Sequence, residues 1–351
     1  MSDTKTTRIA INGFGRIGRS FFKVAFKHPA LEIVAVNDLG DIDNLAYLLQ
    51  YDTVYGRSLC SVSVEKEGAP ALVVDGKKVR VLSEADPGKL PWKELGVDLV
   101  VESTGLFTSY AKADAHRTAG ARRVVVTAPM KDEPPEGITG ATVLMGVNNE
   151  KLAVCDISSN ASCTTNAGSP LMQILHEGIG VEKAVLNTTH AYTASQSIVD
   201  GPVKKGKKHF RDGRAAAANI IPSSTGAAIA VTKALPALEG KFDGIALRVP
   251  VAAGSIVDVT FVASRATSIE EVNSILKKAA GEERWKSIFA VTEEQLVSSD
   301  ILGQPYASIA DLSLTRVVDG NLVKVLAWYD NEMGYAYSLL EHVLLSARYL
   351  S

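Results

Sequence analysis

The sequence predicts an α/β protein in two parts, a parallel sheet wound with helices followed by a mixed α+β region. Three observations carry this. A β-branched run, a glycine turn and a helical stripe follow one another at the N-terminus. Short uninterrupted apolar runs then recur as far as residue 157, and a polar, cysteine-bearing turn opens a new helix after them. With 351 residues, 46% hydrophobic and 22% charged, the chain is long enough for two cores of ordinary domain size. A formal net charge of −2 provides no general field for nucleic acid. No run approaches the ~18 apolar residues of a membrane helix. The opening Met1-Ser-Asp-Thr-Lys-Thr6 lacks the apolar centre of a secretory signal. These features predict a soluble, internal protein with no membrane partner. The three cysteines, Cys60, Cys155 and Cys163, are too few for a disulfide framework, and no CxxC, HExxH or close histidine set points to a metal.

Taken in order, Thr7–Ile11 reads as a strand, Asn12-Gly-Phe-Gly-Arg-Ile-Gly18 as a tight turn, and Ile17–Phe26 as a helix with Phe21, Phe22, Ala25 and Phe26 on one face. Glu32–Val36 is a second strand and ends at Asn37-Asp38. Each part has a task. Gly13 permits the turn, Gly15 lets a pyrophosphate approach the backbone, and Gly18 packs helix against strand. The helix N-terminus, at Arg16 and Ile17, attracts the anion. Asp38 lies about 20 residues beyond the last glycine, where a carboxylate accepts from the adenosine ribose hydroxyls. It would repel a 2′-phosphate, and Leu39 offers no cation to hold one, so the cofactor is expected to be NAD rather than NADP. The first half is therefore a Rossmann-type parallel sheet domain.

Further strands are expected at Asp98–Glu102, Arg123–Thr127, Thr142–Met145 and Val154–Ile157, with a hairpin joining Leu72–Val74 to Val79–Leu82 through Asp75-Gly76. Thr104 and Thr127 follow two of these strands, at the carboxyl ends where open α/β sheets bind ligands. Cys163 then falls at or near the start of a helix carrying Leu171, Ile174 and Leu175. Unpaired N–H groups and the helix dipole there favour a thiolate and can hold an oxyanion. A nucleophilic thiol needs a base, and His190, closing the strand Ala184–Thr189, is the candidate. His28, His116, His176, His209 and His342 lie on helical or lysine-rich segments without comparable context.

Asn12-Gly-Phe-Gly-Arg-Ile-Gly-Arg19, Ser158-Ser-Asn-Ala-Ser-Cys-Thr-Thr-Asn166, His190-Ala-Tyr-Thr193 and Trp328-Tyr-Asp-Asn-Glu332 together resemble glyceraldehyde-3-phosphate dehydrogenase, from about Arg8 to Glu341. The resemblance implies phosphorylating oxidation of glyceraldehyde 3-phosphate with NAD and inorganic phosphate, through a hemithioacetal and a thioester on Cys163, with His190 managing protons. It also implies phosphate-binding roles for Ser162, Thr164, Thr193, Thr225, Gly226 and Arg248, and for one of Arg211 and Arg214. The sequence agrees at two of these places. Ser223-Ser-Thr-Gly226 precedes an apolar helix, and Arg248 ends the strand from Gly244. On the cofactor side the resemblance implies Arg16 and Ile17 near the pyrophosphate, Thr127 near the nicotinamide half, Asn331 on the carboxamide and Tyr335 near the ring. A cytoplasmic homotetramer is implied on the same ground.

Some positions depart from the family pattern. Ala167 replaces a second cysteine, so peroxide is expected to carry Cys163 to sulfenic or higher acids without an internal disulfide to that position. Ile229 stands where lysine is usual, and the basic loop Asp200–Phe210, with its lysine-rich stretch 203–209, is longer than usual. Erythrose-4-phosphate dehydrogenase is the nearest alternative, disfavoured by Thr225-Gly-Ala-Ala228; RNA binding through the lysine loop lacks a basic-aromatic motif. The expected division is 1–162 with the C-terminal helix 328–351 as the NAD-binding domain, and 163–327 as a mixed α+β catalytic domain.

Overall fold

In the computed structural model, which describes residues 6–203 and 209–350, β1 (Thr7–Asn12) is fully buried along its last four residues. It pairs in parallel with β2 (Leu31–Asn37) on one side. Between them α1 (Arg16–Ala25) buries Phe21, Phe22 and Ala25, the face its spacing predicts. The helix α2 (Ile42–Gln50) starts on an Asp41 side chain that accepts from the N–H groups of Asp43 and Asn44. A short hairpin of β3 (Tyr51–Asp52) and β4 (Gly56–Arg57) follows.

The sheet is completed by β5 (Val62–Glu65), β6 (Ala71–Val74), β7 (Lys77–Leu82), β8 (Leu99–Glu102), β9 (Arg123–Val126), β10 (Gly140–Thr142) and β11 (Ile157–Ser159), with α3 (Tyr110–Ala113) and α4 (Ala115–Thr118) between β8 and β9. Among the described residues it has nine strands in the order β10-β11-β9-β8-β1-β2-β7-β6-β5. The pairs from β10 to β7 are parallel, and β7-β6-β5 is an antiparallel edge. The turn from β6 to β7 holds Asp75 at φ 47° and Gly76 at φ 79°, the left-handed pair a two-residue hairpin requires. Ala10, Ala35, Trp92 and Val100 form one core cluster, and Tyr110, Val124, Val126 and Ile157 another.

Two strands lie elsewhere than the sequence reading puts them. The expected strand Thr142–Met145 is paired only over Gly140–Thr142, and Val154–Ile157 is replaced by Ile157–Ser159. Val154 closes a 3₁₀ turn and is 70% exposed, so it has no core face to hold it in a sheet. An apolar run alone did not distinguish that turn from a strand.

The second sheet is mixed. It comprises β12 (Val181–Ala191), β13 (Ile221–Ser224), β14 (Phe242–Val249), β15 (Ser255–Ala263), β16 (Phe289–Thr292), β17 (Ser308–Asp311), β18 (Arg316–Val318) and β19 (Leu322–Tyr329). The order is β13-β14-β12-β15-β19-β17-β16, with β18 paired on β19. The helices α5 (Cys163–Ile179), α6 (Ala227–Ala234) and α7 (Ile269–Ala280) accompany it. Leu171 and Leu175 of α5 share one apolar core with Val231, Val257, Phe261, Leu276 and Val325. The last helix is α8 (Met333–Arg348).

The chain divides into two units. One takes in the chain as far as Val143, Asn148–Ala161 and everything from Leu339 onward; the other comprises Leu144–Val147 and Ser162–Ser338. Residues 328–338, grouped with the first domain in the sequence reading, thus fall in the second unit. Positions 204–208 of the lysine-rich loop lie outside the described residues. No helix among the described residues is long and apolar enough to cross a membrane.

Candidate active site

Two polar centres stand out, one in each unit. In the first unit the turn after β1 is built by three glycines with three different reasons. Gly13 has φ +93°, and a Cβ there would lie 2.7 Å from the Thr104 nitrogen; a Cβ on Gly18 would lie 2.1 Å from the Gly13 oxygen. Around Gly15 nothing lies within 4 Å of the same position, so there the missing side chain leaves open space. Gly15 is also the N-cap of α1, which has no side-chain cap and no acid in its first turn.

Asp38, at the end of β2, accepts from Phe14 N–H at 2.7 Å and Gly40 N–H at 2.9 Å, which fixes its carboxylate beside the turn. Leu39 next to it is 66% exposed. The open glycine, the uncapped helix start and the fixed carboxylate are what a dinucleotide's pyrophosphate and ribose need. The Arg16 guanidinium, by contrast, pairs with Asp52 at 2.7 Å and lies over the Tyr55 ring. Ile17 follows it on α1. Thr127 donates its N–H to the Glu102 carbonyl at 2.9 Å.

Beneath this turn lies a buried network that the sequence reading missed. Glu102 ends β8 and is 2% exposed. Its Oε2 accepts from Asn12 Nδ2 at 2.5 Å and meets His116 Nε2 at 3.0 Å; its Oε1 accepts from the N–H and the hydroxyl of Thr104. Trp92 Nε1 donates to His116 Nδ1 at 3.0 Å, so the imidazole carries its proton on Nε2 and donates to the carboxylate. Asn37 completes the set by donating to Asn12 Oδ1 at 2.7 Å. Four donors meet the four acceptor sites of one carboxylate. A histidine on a helical segment and an acid ending an apolar strand were the visible signs, though nothing in their spacing joins them.

The second unit holds the thiol. Ser162 caps α5, its hydroxyl accepting from Thr165 N–H at 3.1 Å, and Cys163 is the first helical residue. Cys163 Sγ lies 3.4 Å from His190 Nε2, the pair that the sequence reading sets as nucleophile and base. The strand register explains the rest of the cluster. β12 and β14 are parallel neighbours with His190 directly opposite Arg248, which places the guanidinium beside the ring. Arg248 Nη1 is 2.6 Å from His190 Nδ1 and 3.2 Å from the Ala191 oxygen. Tyr329 on β19 is buried edge-on to the imidazole; its hydroxyl is 3.0 Å from that of Thr164 and 2.7 Å from that of Thr188, tying the helix start to the strand of the base.

The electrostatics correct one expectation. A helix start should favour the thiolate, yet burial pushes the Cys163 thiol up, against the downward pull of Arg248 and of the Thr164 hydroxyl and N–H. Burial, and then Arg248, pushes His190 down to about 3. In both groups burial acts against the charged form.

The remaining predicted residues fall as follows. Thr225 Oγ1 accepts from Ala227 N–H at 3.1 Å at the start of α6, where Gly226 is the N-cap and is exposed. Thr193 N–H donates to Gln196 Oε1 at 3.1 Å. Arg214 is paired with Asp200 at 2.8 Å, and Arg211 is an exposed residue of a 3₁₀ turn. Asn331 Oδ1 accepts from Gly254 N–H at 3.1 Å and from the Ser255 hydroxyl at 3.0 Å, which orients its amide. Tyr335 is buried in the first turn of α8.

Residues 7–110 match the family described as "Glyceraldehyde 3-phosphate dehydrogenase, NAD binding domain", and residues 162–331 its "C-terminal domain". The chain belongs to the glyceraldehyde-3-phosphate dehydrogenase family. Relatives of that name are similar over almost their whole length. The protein of Streptomyces coelicolor is 48% identical over 96% of this chain and 97% of its own, and glyceraldehyde-3-phosphate dehydrogenase A of Escherichia coli K12 is 46% identical over 96% and 98%. That of Clostridium pasteurianum is 46% identical over 95% and 96%. Within this family frame, the glycine turn lies inside the first matched segment and the Cys163–His190–Arg248 cluster inside the second.

Proposed function

We propose that the chain catalyses the phosphorylating oxidation of D-glyceraldehyde 3-phosphate to 1,3-bisphosphoglycerate with NAD and inorganic phosphate. The observation that carries the reading is the 3.4 Å approach of His190 Nε2 to a Cys163 Sγ at a helix start, with Arg248 alongside. When bound, NAD supplies the two-electron acceptor. Gly13, Gly15 and Gly18, the start of α1 at Arg16 and Ile17, and Asp38 hold it, helped by Thr104 and Thr127; Asn331 and Tyr335 attend the nicotinamide.

Cys163 Sγ attacks the aldehyde carbon while His190 takes the thiol proton and returns it to the carbonyl oxygen, giving a hemithioacetal with its hydroxyl. The N–H groups that open α5 face the oxygen as charge develops on it. Oxidation leaves an acyl thioester on Cys163, and His190 takes up the hydroxyl proton. Inorganic phosphate then attacks the thioester carbonyl; the C–S bond breaks and Cys163 regains a proton from His190. Ser162, Thr164, Thr193, Thr225, Gly226 and Arg248 hold the substrate phosphate and the attacking phosphate. Thr225, whose oxygen already accepts from Ala227, keeps its O–H to donate. Since Arg214 is engaged with Asp200, Arg211 is the better second arginine.

The same reading makes the protein a cytoplasmic homotetramer without nucleic-acid or membrane partners. Val185 and Ile245, 61% and 57% exposed on the adjacent strands β12 and β14, suit an outer sheet face covered by a second copy. The test follows NADH absorbance with the aldehyde and NAD, with and without phosphate, for the wild type and Cys163→Ser. Sustained NADH production that needs phosphate and vanishes in the variant is expected. A wild type that produces no NADH overturns the reading, and faster turnover of erythrose 4-phosphate at equal concentration reassigns the substrate.

A further inference from the structure

His190 Nδ1 has two partners that cannot both be served. The Ala191 oxygen lies 2.6 Å away, and so does Arg248 Nη1. A carbonyl can only accept and a guanidinium can only donate. With its proton on Nδ1 the ring donates to Ala191, and the bare Nε2 faces Cys163 Sγ as a base. With Arg248 donating to Nδ1, the proton sits on Nε2, and the ring can stabilise a thiolate but cannot take the thiol proton. Arg248 itself is not settled. Its Nη1 also reaches the Ala191 oxygen at 3.2 Å, and its buried Nε–H has no partner among the described residues.

We infer that Arg248 is a positioning residue that holds the base off until an anion arrives, switching the His190 tautomer through the competition at Nδ1. This rests on the proposed function, in which Arg248 meets a phosphate. An anion on the guanidinium draws it toward partners for Nε–H and Nη–H and away from the ring. Nδ1 then carries the proton and donates to Ala191, and Nε2 becomes basic. The move releases one proton from Nε2 to solvent and takes one up at Nδ1, so no other reactant is needed. Neutralising the guanidinium also removes its repulsion of the imidazolium formed when Nε2 takes the Cys163 proton. The other groups facing the ring, Cys163 from α5 and Tyr329 from β19, donate nothing to Nδ1. The phosphate of a substrate thus does more than anchor it. It turns on the base that its own aldehyde requires.

The full-length protein, labelled with ¹⁵N-imidazole histidine, tests this with sulfate and with inorganic phosphate as the probes. Nε2–H is expected for His190 without anion and Nδ1–H with it, the signal assigned by its loss in His190→Asn. In parallel, the single-turnover burst of NADH is measured with D-glyceraldehyde, which has no phosphate group. Sulfate should accelerate the burst at least about tenfold, part of the roughly 10²–10⁴-fold a positioned base supplies, and should not do so in Arg248→Leu. The wild-type spectra alone decide the matter if that variant fails to fold. A His190 tautomer that is unchanged while calorimetry shows phosphate bound overturns the switch and leaves the proposed function standing. Absence of both phosphate binding and any burst with glyceraldehyde 3-phosphate overturns the proposed function, and the switch falls with it.

Discussion

Glu102 in the first unit and His190 in the second are both buried polar groups at strand ends, yet their surroundings are opposite. Each carboxylate oxygen of Glu102 has two donors, and the ring of His116 that serves it is fixed by Trp92. His190 Nδ1 has two rival partners instead, and the Arg248 Nε beside it has none among the described residues. A complete network has one low-energy arrangement and acts as a platform. An overcommitted one has two alternative arrangements, and a group bound nearby can select between them. The cofactor turn rests on the first kind and the chemistry on the second.

The largest expected effect comes from the incomplete centre. His190→Asn should lower kcat/KM by roughly 10²–10⁴ while the urea midpoint moves little, because no complete network is lost. A large fall in stability would remove the contrast. Glu102→Gln is the mirror experiment. It keeps the shape but turns one acceptor oxygen into a donor that faces existing donors, whichever way the amide settles. We expect a loss of about 2–4 kcal/mol in urea unfolding, with the rate of Cys163 alkylation by iodoacetamide unchanged in the folded protein.

A pH series sharpens the same comparison. His342, buried between the Ser158 hydroxyl at 2.7 Å and Asn160 Oδ1 at 3.1 Å, is pushed down to about 3 by burial, as His190 is. Unfolded histidines bind a proton below about 6.5. Between there and about 3 the unfolded chain therefore holds more protons than the folded one, and stability falls as pH falls. The slope is at most about 1.4 kcal/mol per pH unit for each such histidine. Urea midpoints between pH 8 and 5 should show this decline, and His342→Gln should make it shallower; an unchanged slope would mean that His342 is already charged when folded.

How much of this was legible in the sequence depended on whether a feature is local. The glycine turn, Asp38, the Asp75-Gly76 hairpin and the helix start at Cys163 are set by residues a few positions apart, and the spacing revealed them. Cys163 and His190 could be named but not joined, since 27 residues separate them and only the fold brings Sγ to Nε2. The Glu102 network and the contact of Arg248 with the ring were invisible, because each depends on strand register between segments far apart in the chain. The thiol's direction of shift was misread for a related reason. The dipole is a property of the helix start, whereas burial is a property of everything packed around it.

The smallest stability effect belongs to the cofactor turn and separates two glycines that the sequence treats alike. Gly18→Ala puts a methyl 2.1 Å from the Gly13 oxygen, so the helix must move off the turn that precedes it, and a loss of several kcal/mol is expected. Gly15→Ala meets nothing within 4 Å and needs no positive φ, so stability should stay within about 0.5 kcal/mol. If the open space there belongs to a pyrophosphate, the same methyl occupies the approach to the start of α1, and NAD affinity measured by calorimetry should fall while the urea midpoint holds. Unchanged NAD affinity would mean that the pyrophosphate does not pass over Gly15, and that the glycine serves only as the uncapped start of the helix.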